Sequence, residues 1–87
     1  MENNYVISVE TCTFEQYMDE ADMDRIEVVE MFGRDVIAFV EVKIYNYKGY
    51  FRRVCKGIYT DDMLEHMQAV QSATLELLHD YFTYGKH

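Results

Sequence analysis

Proline and tryptophan are absent from this 87-residue chain, cysteine occurs only twice and glycine only four times. Without proline, repeats or low-complexity tracts, nothing marks a linker, and the chain reads as one domain over residues 1–87. The two cysteines, Cys12 and Cys55, lie far apart with no Cys-x-x-Cys spacing. That pattern supports neither a disulfide framework nor a zinc site, and both read as small buried hydrophobes of a reducing compartment. Long apolar runs are missing as well. Charges interrupt every such segment well short of the roughly 20 residues that cross a bilayer, so no membrane is expected as a partner.

The first residues, Met1-Glu2-Asn3-Asn4, lack the basic start and apolar run of a secretory signal. They are also too acidic for an organelle transit peptide, so the expected location is intracellular, in cytoplasm or nucleus. Positive charge is scarce: 8 Lys and Arg stand against 16 Asp and Glu, for a net charge of −8. Both nucleic acid and anionic lipid need the opposite sign for unspecific attachment, so a protein with a basic surface is the expected partner. Core-forming side chains are plentiful, with 49% hydrophobic and 15% aromatic residues, and a chain so composed folds despite its charge.

Along the chain, Tyr5-Val6-Ile7-Ser8-Val9 reads as a strand or extended entry segment. Thr13 to Gln16 has the spacing of a capping box, and Phe14, Tyr17, Met18 and Ala21 follow at i, i+3, i+4 and i+7, which predicts a short helix over 13–22. Ile26 to Phe32, rich in β-branched residues, is expected as a strand that ends at Gly33. Val36 to Tyr45 is the clearest strand, with every even position apolar. A turn at Asn46-Tyr47-Lys48-Gly49 leads to a third strand over Tyr50 to Lys56, stopped near Gly57. Thr60 as N-cap, Asp61 and Asp62 in the first turn and Gly85 as a stop predict a long helix over 61–82. The expected fold is α+β: a three-stranded antiparallel meander with a short N-terminal and a long C-terminal helix on one face, plus an extra N-terminal strand over residues 5–9. The long helix carries more apolar surface than so small a sheet covers, notably at Met63, Met67, Leu78 and Phe82.

Ala38-Phe39-Val40-Glu41-Val42-Lys43-Ile44, the glycines Gly49 and Gly57, and the rhythm Ala69-Val70, Ala73-Thr74, Leu77 resemble the double-stranded RNA-binding domain over about residues 13–82. The resemblance implies the order helix, three strands, helix. In that family, lysines at the start of the second helix hold RNA phosphates across the major groove. The matching stretch here is Asp62-Met63-Leu64-Glu65-His66, and the first helix carries Glu15, Asp19, Glu20 and Asp22. Carboxylates there repel phosphate, so no RNA-binding residue carries over and no duplex RNA binding is expected. What the resemblance then implies is the use made of the fold by members that bind no RNA, in protein association or dimerisation through the sheet edge and the long helix.

Lys43, Lys48, Arg52, Arg53 and Lys56 form a basic run interleaved with Tyr45, Tyr47, Tyr50, Phe51 and Tyr59. Bases stack on such aromatics while cations track a backbone in single-strand binding platforms. The alternative is an ordinary hairpin whose cations pair with the acidic helices. Glu76 and His79 have the Glu-x-x-His spacing of di-iron bundles, but one copy on one of two helices does not complete such a site. Cys55 with His66 makes a conceivable thiol–imidazole pair, yet nothing supplies an oxyanion donor or a cavity. No catalytic residue, metal ligand or cofactor is assigned, and the chain is not expected to be an enzyme. The expected function is that of a non-catalytic protein–protein interaction module, with Lys43, Lys48, Arg52, Arg53, Lys56, Met63, Met67, Leu78 and Phe82 as candidate contact residues and a homodimer as one expected form. Two other readings stand beside it: an acidic inhibitor, encoded by a virus or mobile element, that mimics nucleic-acid charge, and RNA binding through the basic hairpin over 43–56.

Overall fold

The computed structural model describes residues 4–84 and contains six elements. They are strand β1 (Tyr5–Thr13), helices α1 (Phe14–Ala21) and α2 (Arg25–Phe32), strands β2 (Ala38–Asn46) and β3 (Phe51–Ile58), and the long helix α3 (Met63–Tyr84). The class is α+β, and the strands form an antiparallel meander in the order β1-β2-β3. Two expectations about the strands give way. The extra N-terminal strand is the first strand of the meander itself and runs to Thr13, while Ile26 to Phe32 is helical. Two helices therefore separate the first strand from the second.

Local chemistry accounts for both short helices. Thr13 accepts from the Gln16 N–H at 3.1 Å and the Gln16 side chain accepts from the Thr13 N–H at 2.9 Å, the expected capping box. Asp24 and Glu27 repeat the device at the start of α2, each bond being 2.9 Å. Between them Asp22 takes a left-handed φ of 55° and turns the chain. In α3 the first turn begins two residues later than expected: Asp62 Oδ1 caps the Leu64 N–H at 3.0 Å, and Thr60 instead accepts from the Asp62 N–H. Gly85, the expected stop, lies outside the described residues. The β2–β3 turn is held by the Asn46 side chain, which accepts from the Lys48 and Tyr50 N–H groups, with Gly49 at φ 96°.

The period-2 alternation of β2 feeds two cores. Val40, Val42 and Ile44 face α3, where Ala73, Leu77 and Tyr81 are buried against them. Phe39 faces the other way, into a cluster of Cys12, Tyr17, Val28 and Val36. Its ring stacks on Tyr17 at 4.3 Å between centroids and meets Phe32 edge-on at 5.0 Å. The first helix thus lies on the face opposite α3, not on the shared face expected. Both faces of β2 are wanted, because a strand that is buried on each side needs a layer on each side.

Gly57 lies where Tyr59 crosses the sheet. A Cβ there would stand 2.8 Å from Tyr59 Oη and 3.1 Å from Val36 Cγ2. The phenol is anchored, since it donates to the Phe32 carbonyl at 2.5 Å. Gly57→Ala is expected to cost about 1 kcal/mol by overpacking, read as a lower urea midpoint with an unchanged m-value.

Candidate interaction surfaces

Strand parity divides the basic hairpin between the two faces of the sheet. Arg52 and Lys56 lie on the α3 side and pair with its carboxylates, Arg52 to Asp80 at 2.9 Å and Lys56 to Glu76 at 3.0 Å. Lys43 and Arg53 lie on the opposite face. Arg53 donates to the buried Glu41 at 2.7 Å, and the Lys43 ammonium stands 3.8 Å from Glu41 and 3.9 Å from Glu10. Lys48 is exposed in the turn. The five cations are not gathered into one patch, and four of them have a carboxylate at ion-pair distance. The aromatics divide in the same way: Tyr50 packs on Tyr81, whereas Tyr45 and Phe51 stand exposed beside Val6 in one row across the three strands.

The helix residues fall differently. Met63 and Met67 are 70% and 60% exposed, while Leu78 is half-buried against the α3 core and Phe82 packs on Tyr5 and Tyr81. Leu64 and Leu75 are as exposed as the methionines. Leu64, Met67, Gln71, Leu75, Leu78 and Phe82 follow one another in steps of three or four, so they share one flank of α3, about 27 Å long at 1.5 Å per residue. Asp80 and Glu76 point the other flank at β3, and the contact of Phe82 with Tyr5 turns the apolar flank toward β1. β1 is an edge strand, and Val9 is exposed on the same sheet face.

Acidic residues gather elsewhere. Glu15, Asp19, Glu20, Asp22, Asp24, Glu27, Glu30 and Asp35 are all exposed on α1, α2 and the adjoining turns, with Arg25 and Arg34 as the only cations of that segment. This surface lies across the sheet from α3. Among the described residues no helix is long and apolar enough to cross a membrane.

Cys55 and His66 stay apart. Cys55 points to the α1 side of β3, whereas His66 is on α3 and hydrogen-bonds Thr11 at 2.9 Å, so the two do not form a thiol–imidazole pair. Burial, with Glu41 close by, pushes the Cys55 thiol up to about 12 from an ordinary value of 9.0. Cys12 and Tyr17 move in the same direction, chiefly through burial. A raised acid holds its proton in the folded chain after the unfolded chain has lost it, so stability falls as pH rises from about 9 toward 12. The urea midpoint is expected to be lower at pH 10.5 than at pH 7.5, and Cys55→Ala should narrow that gap; equal midpoints in the unmodified protein would contradict the assignment.

Comparison with protein-family models, with curated proteins and with solved structures found no match to this chain.

Proposed function

We propose that this protein acts by protein–protein association, through the apolar flank of α3 and the adjacent edge of β1, and that its first partner is a second copy of itself. The observation that carries this reading is the ladder from Leu64 to Phe82, with Leu64, Met67 and Leu75 largely in solvent. Exposed apolar surface of this extent on a small domain marks a contact site. The disposition of charge supports a like partner. A net charge of −8 opposes self-association, yet no ladder residue is ionisable and the eight exposed carboxylates of residues 15–35 lie across the sheet. Two copies related by a two-fold axis bring the flanks together with their acidic faces turned outward. Pairing of the β1 edges on the same axis joins the two sheets and removes two open strand edges.

Replacing Leu64 and Leu75 together by glutamate is expected to leave helical content unchanged, because both are exposed, and to halve the apparent mass in size-exclusion chromatography. A variant that keeps the mass of the unmodified protein would remove α3 from the contact.

The acidic segment supports a second reading, in which carboxylates on α1 and α2 stand in for phosphates against a basic nucleic-acid site. On that reading the protein displaces duplex DNA from a basic DNA-binding protein. Replacing Glu15, Asp19, Glu27 and Glu30 by their amides abolishes displacement while leaving self-association intact.

A further inference from the structure

Beneath α1, four side chains that are far apart in sequence converge. Glu10, Cys12, Glu20 and Glu41 each offer one ligand atom, and these atoms all lie within 4.8 Å of one another. The fold explains the convergence. Glu10 and Cys12 alternate onto one face of β1, Glu41 is the register partner of Glu10 on β2, and α1 folds back over that face to bring Glu20 above them. Carboxylates cluster on many surfaces without a ligand, but one member here is not on the surface. Glu41 is 1% exposed; Oε2 accepts from Arg53, and Oε1 has no hydrogen-bond partner among the described residues. The Lys43 ammonium, 3.8 Å away, is beyond hydrogen-bond reach. An unsatisfied carboxylate oxygen in so dry a place is costly unless something compensates it.

We propose that Glu10, Cys12, Glu20 and Glu41 form a binding site for one divalent transition-metal ion of the zinc class, with Cys12 as its thiolate ligand. The donor set selects the class. A thiolate with carboxylates suits zinc or cobalt, whereas calcium and magnesium take oxygen ligands, calcium six to eight of them. Size fits as well: four ligands about 2.1 Å from a tetrahedral centre lie about 3.5 Å apart, so the set closes by roughly 1 Å. The exposed Glu10 and Glu20 can make that movement and leave a path from solvent.

Charge closes too. Three carboxylates against Lys43 and Arg53 leave one negative charge, and loss of the Cys12 proton to solvent makes two, which a divalent ion neutralises. The ion would tie α1 to β1 and β2, acting as a clamp between the helical layer and the sheet.

The test is titration of the full chain with cobalt(II), followed by absorption and by thermal unfolding. One equivalent is expected to produce a thiolate-to-cobalt charge-transfer band, raise the melting temperature and be displaced by zinc. Cys12→Ser should abolish the band. Glu20→Gln, at an exposed position that leaves the fold intact, should weaken binding at least tenfold. Absence of the band in the unmodified protein overturns the proposal. So does unchanged cobalt affinity in Glu20→Gln, which would assign the ion to other donors such as the histidines.

Discussion

Phe39→Ala is expected to leave the protein largely unfolded at room temperature. Phe39 is fully buried and is the centre on which Tyr17, Phe14 and Phe32 pack, with centroid distances of 4.3, 6.0 and 5.0 Å. Truncating such a ring costs about 3–5 kcal/mol, from lost transfer free energy and the cavity left behind. Domains of this size hold only about 5–15 kcal/mol in total, with small ones near the lower end. The ring also joins layers: without it α1 and α2 lose their common contact with β2. Urea titration followed by circular dichroism should therefore show a midpoint near zero denaturant, or no transition at all. Phe39→Leu, which keeps most of the volume, should lose far less.

The second large effect is expected at the buried carboxylate. Arg53→Met removes the guanidinium from Glu41 while adding nothing that can hydrogen-bond it. Removing one partner of a fully buried pair costs about 3–5 kcal/mol. Here Arg53 is itself 45% exposed and Lys43 remains 3.8 Å from Glu41, which brings the expected loss to about 2 kcal/mol. The double replacement Glu41→Leu with Arg53→Met should recover most of that loss, because a matched apolar pair is often as stable as the ion pair it replaces. A double-mutant cycle on urea midpoints measures the coupling. If the double variant were no more stable than Arg53→Met alone, Glu41 would not be the group that suffers.

The second half of the chain was readable in advance because its signals are local. Alternation fixed β2, the Asn46 to Gly49 turn fixed the hairpin, and three-and-four spacing fixed α3. The residues that carried the resemblance to the double-stranded RNA-binding domain lie in these same elements, and strand, turn and long helix are common to many α+β domains. The first half misled where two local preferences conflict. Ile26, Val28 and Val29 favour a strand, but Asp24 and Glu27 form a second capping box, and burial of Val28 with Phe32 four residues on selects the helix. Strand β1 continues past Val9 because Glu10 and Cys12 find register partners on β2, which no local pattern reveals. The pairing of Arg52 and Lys56 with α3 follows the reading of the hairpin as an ordinary face. Convergence of Glu10, Cys12, Glu20 and Glu41 could not be read from spacing, since it depends on α1 folding back across the sheet. Surplus apolar surface on α3 was legible, at Met63, Met67, Leu78 and Phe82, but its grouping into one ladder was not. Nor was it legible which members face solvent: Leu64 and Leu75 are exposed, while Leu78 turns toward the core.

Sedimentation equilibrium of the unmodified protein near 100 μM bears most directly on association through α3 and β1. A dimer worth about −5.5 kcal/mol is already substantially populated at that concentration. The expected result is a weight-average mass at least about 1.5 times the 10.4 kDa of the chain, falling toward the monomer on dilution. A single species of 10.4 kDa throughout the concentration series would contradict self-association.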